Sequence, residues 1–331
     1  MAKYMILGGN GVFGVHLSAY LLKNIPDAHV ISVGRNSEKP SCFSLHRGID
    51  DSRYEYHQVH VVFEHDRITE LFETKTPDYI INFAALAADV ASSWKYSTRF
   101  YETNTVSLAR MTDGLIGAPW LKRWLQIGSS EVYGAVTTPA REETPINPTT
   151  PYAVSKAAGD LHLRAIHNVR GFPMNILWPS NAYGPGQQLY RVIPRTILCC
   201  LLGRKLPLQG GGRAVKSFIH AQDLANSIVL TLRNAAPGAC YNVGPETGIS
   251  IRELVKTVIE QMGKSFDEVV EMAPDRLGQD AQYIINSAKI NTELGWHQKI
   301  ELREGLEDTI SWCKKYVSEL QGLSTDVWFQ A

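Results

Sequence analysis

Lys3-Tyr4-Met5-Ile6-Leu7-Gly8-Gly9-Asn10-Gly11-Val12-Phe13-Gly14 is the stretch on which the fold turns. A short apolar run leads directly into a glycine-rich turn, and a helical pattern opens behind it. Glycines at 8, 11 and 14 allow a tight turn and a close approach of backbone. They leave the amino terminus of the next helix free to hold a pyrophosphate through its N–H groups and dipole. Three spaced glycines mean little alone; these fall where the first strand-to-helix turn must lie. We read Gly8, Asn10, Gly11, Val12, Phe13 and Gly14 as a dinucleotide-binding loop.

Outward from this loop the chain alternates. Lys3–Leu7, His29–Val33, Tyr56–Phe63, Tyr79–Phe83, Arg123–Ile127 and Met174–Trp178 are short, apolar and mostly β-branched. Val12–Lys23, Ile68–Phe72, Tyr101–Leu115 and Ala153–His167 carry helical spacing between them. Near-continuous apolar strands separated by helices predict an α/β fold, a doubly wound parallel sheet covered on both faces. After Pro179 the rhythm changes, with turn chemistry at Asn181–Gln187 and a glycine run at 210–212. Helices over Ala221–Arg233, Ile251–Met262 and Arg303–Tyr316, with strands Leu206–Leu208 and Cys240–Val243, predict a smaller mixed lobe. The expected division is 1–180 for the dinucleotide domain and 181–331 mainly for the second lobe, with some chain crossing back. Leu323–Ala331 has no clear period and reads as a loosely held tail.

Composition narrows the function. The 331 residues hold 33 basic and 33 acidic side chains, so the electrostatic footprint of a general nucleic-acid binder is missing. No apolar run approaches the roughly 20 residues that span a bilayer, and Met1–Gly8 is too short and glycine-interrupted for a secretory signal. The five cysteines form no CxxC pair and read as buried small hydrophobes. His57 and His60 lie in a strand-like segment, and His162 and His167 diverge on a helix, so no metal is expected. A soluble, cytoplasmic protein is the expectation.

The end of the second strand, Val33-Gly34-Arg35-Asn36-Ser37, carries no acid to hold a ribose 2′-hydroxyl. Arg35, helped by Ser37, could instead grip a phosphate, which favours NADP over NAD unless Arg35 is merely a solvated surface side chain. Further on, Pro151-Tyr152-Ala153-Val154-Ser155-Lys156 begins a helix and puts Tyr152 and Lys156 on one face. A tyrosine normally ionises near pH 10; a neighbouring ammonium favours the phenolate and makes it a usable general base.

The glycine loop, Asn82-Phe83-Ala84-Ala85, Glu102-Thr103-Asn104, Ser129-Ser130-Glu131-Val132-Tyr133-Gly134, Pro151-Tyr152…Lys156 and Asn181-Ala182-Tyr183-Gly184-Pro185 occur in order. Lys216–Asp223 and Arg276–Asp280 continue the series to about Trp296. Together they resemble the extended short-chain dehydrogenases/reductases of the nucleotide-sugar epimerase/dehydratase type, closest to the 4,6-dehydratases of dTDP-glucose and GDP-mannose. The resemblance implies that Tyr152 deprotonates a sugar hydroxyl as hydride passes to the nicotinamide. It implies that Lys156 holds the nicotinamide ribose and that Ser129 hydrogen-bonds the reacting oxygen. Arg35, Asn36, Ala84, Ala85, Asn104 and Pro179 would join the cofactor site; Ser130, Asn181 and Lys216 would contact the nucleotide sugar, and Arg276 would clamp its diphosphate. Arg191 and Arg195, flanking Ile193-Pro194 at the start of a second-lobe helix, could each reach a diphosphate or be solvated surface side chains. Lys216 stands where the family usually has arginine, leaving a point charge in place of a bidentate fork.

Glu131 separates the reactions. In the dehydratases it resembles, this glutamate removes the C5 proton of a 4-keto sugar, before water leaves from C6 and hydride returns there. The 4-epimerases usually carry a small residue instead, whereas nucleotide-sugar decarboxylases share the Ser-Glu-Val-Tyr-Gly run. A 4,6-dehydratase is therefore the expectation; a 4-epimerase, a decarboxylase, a keto-sugar reductase and, remotely, a non-catalytic dinucleotide sensor stay open. Polar residues usual after the fourth strand are replaced by apolar ones at Phe83–Ala87, and an acid usual after the third strand appears as Val61. The family also implies a homodimer through a four-helix contact of Tyr101–Leu115 and Ala153–His167.

Overall fold

The computed structural model describes residues 1–87, 90–274 and 282–325, without the side chains of 90, 91, 282 and 283. The first half contains β1 (Ala2–Leu7), α1 (Val12–Asn24), β2 (Ala28–Gly34), β3 (Tyr54–Gln58), α2 (His65–Lys75) and β4 (Tyr79–Asn82). It continues through α3 (Val90–Lys95), α4 (Ser97–Tyr101), α5 (Ser107–Asp113), β5 (Arg123–Ile127), α6 (Pro151–Arg170) and β6 (Met174–Pro179). Then follow β7 (Asn181–Tyr183), α7 (Val192–Leu202), β8 (Leu206–Gln209), β9 (Val215–Lys216), β10 (Phe218–His220), α8 (Ala221–Asn234) and β11 (Cys240–Val243). The last described elements are β12 (Ile249–Ser250), α9 (Ile251–Gln261), α10 (Phe266–Val269), β13 (Val270–Ala273), β14 (Gln282–Tyr283), α11 (Ala288–Leu294), α12 (Leu302–Lys315) and α13 (Val317–Leu320).

Seven strands form one parallel sheet in the order β11-β6-β5-β4-β1-β2-β3. The period of two within β1 explains its apolar run. Tyr4 and Ile6 pack on one face with Leu17 and Leu21 of α1 and Ile228 of α8. Met5 and Leu7 pack on the other with Ile68, Phe72, Leu108 and Leu163. Both faces are covered, as parallel sheets require. Strand order reverses between β1 and β4, and such a switch point opens a crevice at the carboxyl ends of the strands.

Three expectations need correction. Cys240–Val243 belongs to the central sheet, because Cys240 pairs with Ile176 on β6, and α8 reaches back to α1, where Asn226 Nδ2 donates to Tyr20 Oη at 2.9 Å. The strand expected over Tyr56–Phe63 ends at Gln58; residues 61–63 turn away and line the crevice, so their apolar side chains cover a cavity. The helix expected over Tyr101–Leu115 is interrupted by a widened π turn at Glu102–Val106, a feature that often marks a functional region. The expected tail lies largely outside the described residues, as do Arg276 and the rest of Arg276–Asp280.

The second lobe has its own core, in which Ile193 and Ile197 of α7 meet Leu254 and Val258 of α9 and Leu306 and Ile310 of α12. Among the described residues no helix is long and apolar enough to cross a membrane, and none of the His, Cys, Asp and Glu groups could hold a metal ion.

Candidate active site

A cavity of about 1140 Å³ runs from the glycine turn, along the carboxyl edge of the sheet, to β8 and β9 of the second lobe. That exceeds the usual range for a single small-molecule pocket and suits two ligands placed end to end. Among its described lining residues, Arg35, Lys39, Arg99, Lys156, Arg191, Arg195, Arg213 and Lys216 face only two carboxylates, Glu102 and Glu131. A cleft so cationic in a chain of zero net charge concentrates anionic ligands.

At one end, Gly8 has φ +78°, and a Cβ there would lie 2.8 Å from Ala84 N. A Cβ on Gly14 would lie 2.5 Å from Gly9 Cα. Only hydrogen fits at either position. Gly11 caps α1 without a side-chain hydrogen bond, and no acid occupies the first turn, so the helix presents uncapped N–H groups and its positive end to the cavity. Gly8, Asn10, Gly11, Val12, Phe13 and Gly14 all line it. This cradle fits a dinucleotide pyrophosphate.

The segment after β2 is held by its backbone. Asn10 Nδ2 donates to Ser37 O at 2.8 Å, Lys39 N donates to Asn10 Oδ1 at 3.3 Å, and Gln58 Nε2 donates to Arg35 O at 3.2 Å. Tyr56 Oη donates to Asn36 O. With the main chain fixed, the side chains of Arg35, Asn36 and Lys39 line the cavity. Lys39 was missed in the sequence; its signal is a cation five residues beyond β2, legible only once the loop folds back. Burial pulls its ammonium pKa down, so an anionic partner there would be favoured.

Ala84 and Ala85 line the cavity, but Asn104 does not. Its amide is committed to Leu86 and to Ser155 Oγ, so its cofactor assignment is corrected to that of a support for the Ala84–Ala87 loop. Asn104 lies buried within the π turn and reaches that loop from there. Arg191 also braces it, donating from Nη2 to Ala87 O at 2.6 Å.

The reactive groups converge in the middle. Thr150 Oγ1 accepts the Ala153 N–H, Pro151 occupies the first turn, and α6 therefore starts with Tyr152 at the cavity wall. The buried Phe100 ring stands edge-on to the Tyr152 ring, 6.2 Å between centroids. One turn along, the buried Lys156 donates from Nζ to Ile127 O at 2.6 Å. Ser129 Oγ accepts the Glu131 N–H at 3.3 Å, which fixes the hydroxyl oxygen and lets its proton point elsewhere. Ser129, Ser130, Glu131, Tyr152, Lys156 and Pro179 all line the same cavity. A base with a cation behind it, a hydroxyl donor and a carboxylate can take one proton from a hydroxyl and another from the neighbouring carbon.

Asn181, Arg191 and Lys216 line the far end, with Asn181 Nδ2 donating to Ser217 O at 3.2 Å. Arg195 and Arg213 add further cations, and Leu206–Gln209 form an apolar-to-polar wall that sequence reading did not single out.

The family model for GDP-mannose 4,6 dehydratase matches residues 5–309. The chain is 27% identical over 334 residues to dTDP-glucose 4,6-dehydratase of Haemophilus influenzae, covering 94% of this chain and 98% of the relative. It is 32% identical over 236 residues to dTDP-glucose 4,6-dehydratase of Streptomyces niveus, covering 71% of this chain and 69% of the relative. The crystal structure of dTDP-glucose 4,6-dehydratase from Bacillus anthracis in complex with NAD superposes with a TM-score of 0.88 at 27% identity, covering 98% of this chain and 100% of that one. The doubly wound sheet, the cationic cleft and these likenesses agree: the chain belongs to the GDP-mannose 4,6 dehydratase family and is an extended short-chain dehydrogenase/reductase of the nucleotide-sugar 4,6-dehydratase type.

Proposed function

We propose that the chain converts a nucleoside diphosphate sugar to its 4-keto-6-deoxy form, with Tyr152, Lys156, Ser129 and Glu131 as the working residues. The observation that carries this reading is Glu131 on the wall shared by Ser129, Tyr152 and Lys156. A bound nicotinamide supplies hydride acceptance from C4 and hydride return to C6. Tyr152, as phenolate, takes the proton of the C4 hydroxyl, and Ser129 donates a hydrogen bond to that oxygen. Oxidation at C4 acidifies the C5 proton, so the Glu131 carboxylate suffices to remove it. Water then leaves across C5–C6. An epimerase would leave Glu131 without a task.

Gly8 and Gly14 give the pyrophosphate its backbone approach, and Lys156 holds the nicotinamide ribose. Arg35 and Lys39 near the end of β2, with Glu102 and Glu131 the only carboxylates among the described lining residues, support NADP. The Bacillus anthracis relative was solved with NAD, so this preference rests on the present chain's own residues. Asn181, Arg191, Arg195 and Lys216 would hold the nucleotide sugar, and Arg276 is proposed from the family resemblance alone. Residues 1–180 with β11 and α8 form the cofactor unit in this reading, and most of 181–331 the substrate lobe. Tyr101, Val106, Val154 and Leu161 are large apolar side chains exposed on α4 to α6, which supports a homodimer through those helices. Five free, buried cysteines accord with a cytoplasmic setting.

Incubation with a panel of nucleotide sugars, without added reductant, tests the reading by mass spectrometry. Loss of one water from a single substrate is the expected result. Unchanged mass with inverted stereochemistry would replace it with an epimerase.

A further inference from the structure

We propose that Asp160 is a positioning residue for this reaction: its carboxylate is the buried counter-charge that keeps Lys156 in the ammonium form. The proposal rests on the role given to Lys156 above. The two residues lie four apart on α6, hence on one face, and each is 4% exposed. The Ile127 carbonyl that Lys156 donates to is a dipole without net charge. It satisfies a hydrogen bond and leaves the buried cation uncompensated.

Asp160 Oδ2 accepts the Trp178 indole N–H at 2.7 Å, while Oδ1 has no hydrogen-bond partner among the described residues. An indole needs one neutral acceptor, which an amide would supply, so Trp178 accounts for neither the charge nor the second oxygen. The carboxyl also sits directly under the catalytic edge: a Cβ on Gly128 would lie 2.8 Å from Oδ2, immediately before Ser129.

The surrounding groups leave few other candidates for its charge. Lys156 and Arg164 act on it from α6, and Arg164 is exposed to solvent. Tyr133, from the turn after Ser129, and Cys240, on β11, are both pushed upward by burial, the thiol to about 11, and stay neutral at working pH. Burial lifts Asp160 to about 6, with Lys156 the first of the groups opposing that rise. Reciprocally, burial pulls Lys156 down and Asp160 holds it up. Burial penalises either charge alone, and each offsets the other's penalty in a medium that water screens poorly.

The test is the pH dependence of cofactor affinity and of kcat/KM in Asp160→Asn. The alkaline limb, where Lys156 loses its proton, moves down by about one pH unit or more. Asp160→Glu restores it, and Trp178→Phe, which removes the indole bond but keeps the charge, leaves it in place. An unmoved limb in a folded Asp160→Asn protein would reduce Asp160 to an anchor for Trp178 and overturn the proposal. Lys156→Ala separates the two levels: if the limb survives that change, the reading of Lys156 itself fails. Should Asp160→Asn not fold, the wild-type protein with isotope-labelled lysines decides. The Lys156 resonance steps as Asp160 ionises, and no step would equally overturn the proposal.

Discussion

Asn104 grips Leu86 by both of its backbone polar groups: Leu86 N donates to Asn104 Oδ1 at 2.8 Å, and Asn104 Nδ2 donates to Leu86 O at 3.1 Å. The same amide donates to Ser155 Oγ at 2.9 Å, and Ser155 Oγ donates to Tyr152 O at 2.7 Å. One side chain thus ties the Ala84–Ala87 loop of the cleft to the first turn of α6. Asn104→Ala removes three hydrogen bonds at a buried site. Stability should fall by on the order of 3 kcal/mol in chemical denaturation, with weaker cofactor binding and Tyr152 chemically intact. Unchanged cofactor affinity would show that the loop does not depend on this tie.

Tyr152→Phe keeps the ring that packs against Phe100 and deletes the ionisable oxygen. Turnover should drop by roughly 100- to 10,000-fold, the usual worth of a positioned base, while cofactor affinity stays within a factor of about two by fluorescence titration. Full activity would remove Tyr152 from the chemistry.

The proposed NADP preference rests on Arg35 and Lys39. Their backbone is fixed by Gln58 and Asn10, so truncating the side chains should not unfold the loop. Arg35→Ala should weaken NADPH binding by about tenfold or more, the scale of a charge-assisted phosphate contact, and leave NADH nearly unaffected. Equal loss for both dinucleotides would mean that Arg35 does not read the 2′-phosphate.

His16 gives a stability signature. Its Nε2 lies 2.8 Å from Pro185 O, and burial lowers its pKa from 6.5 to about 4. The unfolded chain therefore takes up a proton as pH falls below 6.5, whereas the folded chain does so only near pH 4. Stability from this group is complete above pH 6.5 and is lost as pH falls toward 4. Denaturation at pH 6.5 and 5 should differ by about 2 kcal/mol for this one group, and His16→Gln should flatten that slope.

The parallel sheet was legible because β1, β2, β4, β5 and β6 are apolar on both faces and glycine marks the first turn. Val61, Val62 and Phe63 misled for the same reason: apolar residues lining a cleft look like a strand continued. Cys240–Val243 could not be placed, since a four-residue strand carries no record of which sheet edge it completes. Asn104 was found by motif and misassigned in role, because its hydrogen bonds to Leu86 and Ser155 join segments far apart in the chain and leave no trace in periodicity. Tyr152 and Lys156 were named from spacing and Ser129 and Glu131 from resemblance, and the fold brings all four to one cavity wall. Lys39, Arg99 and Arg213 were not, for a surface lysine or arginine looks the same in sequence whether it faces solvent or a cleft.

The central claim is that Glu131 takes the C5 proton, and it is tested by running the wild-type enzyme and Glu131→Gln on one accepted nucleotide sugar in deuterated water. The wild type should give a product that has lost water and carries deuterium at C5. The variant should bind the sugar and reduce the cofactor, seen by nicotinamide absorbance, yet release no dehydrated, deuterated product. A Glu131→Gln protein that dehydrates the sugar at the wild-type rate, with the same label at C5, would contradict the account.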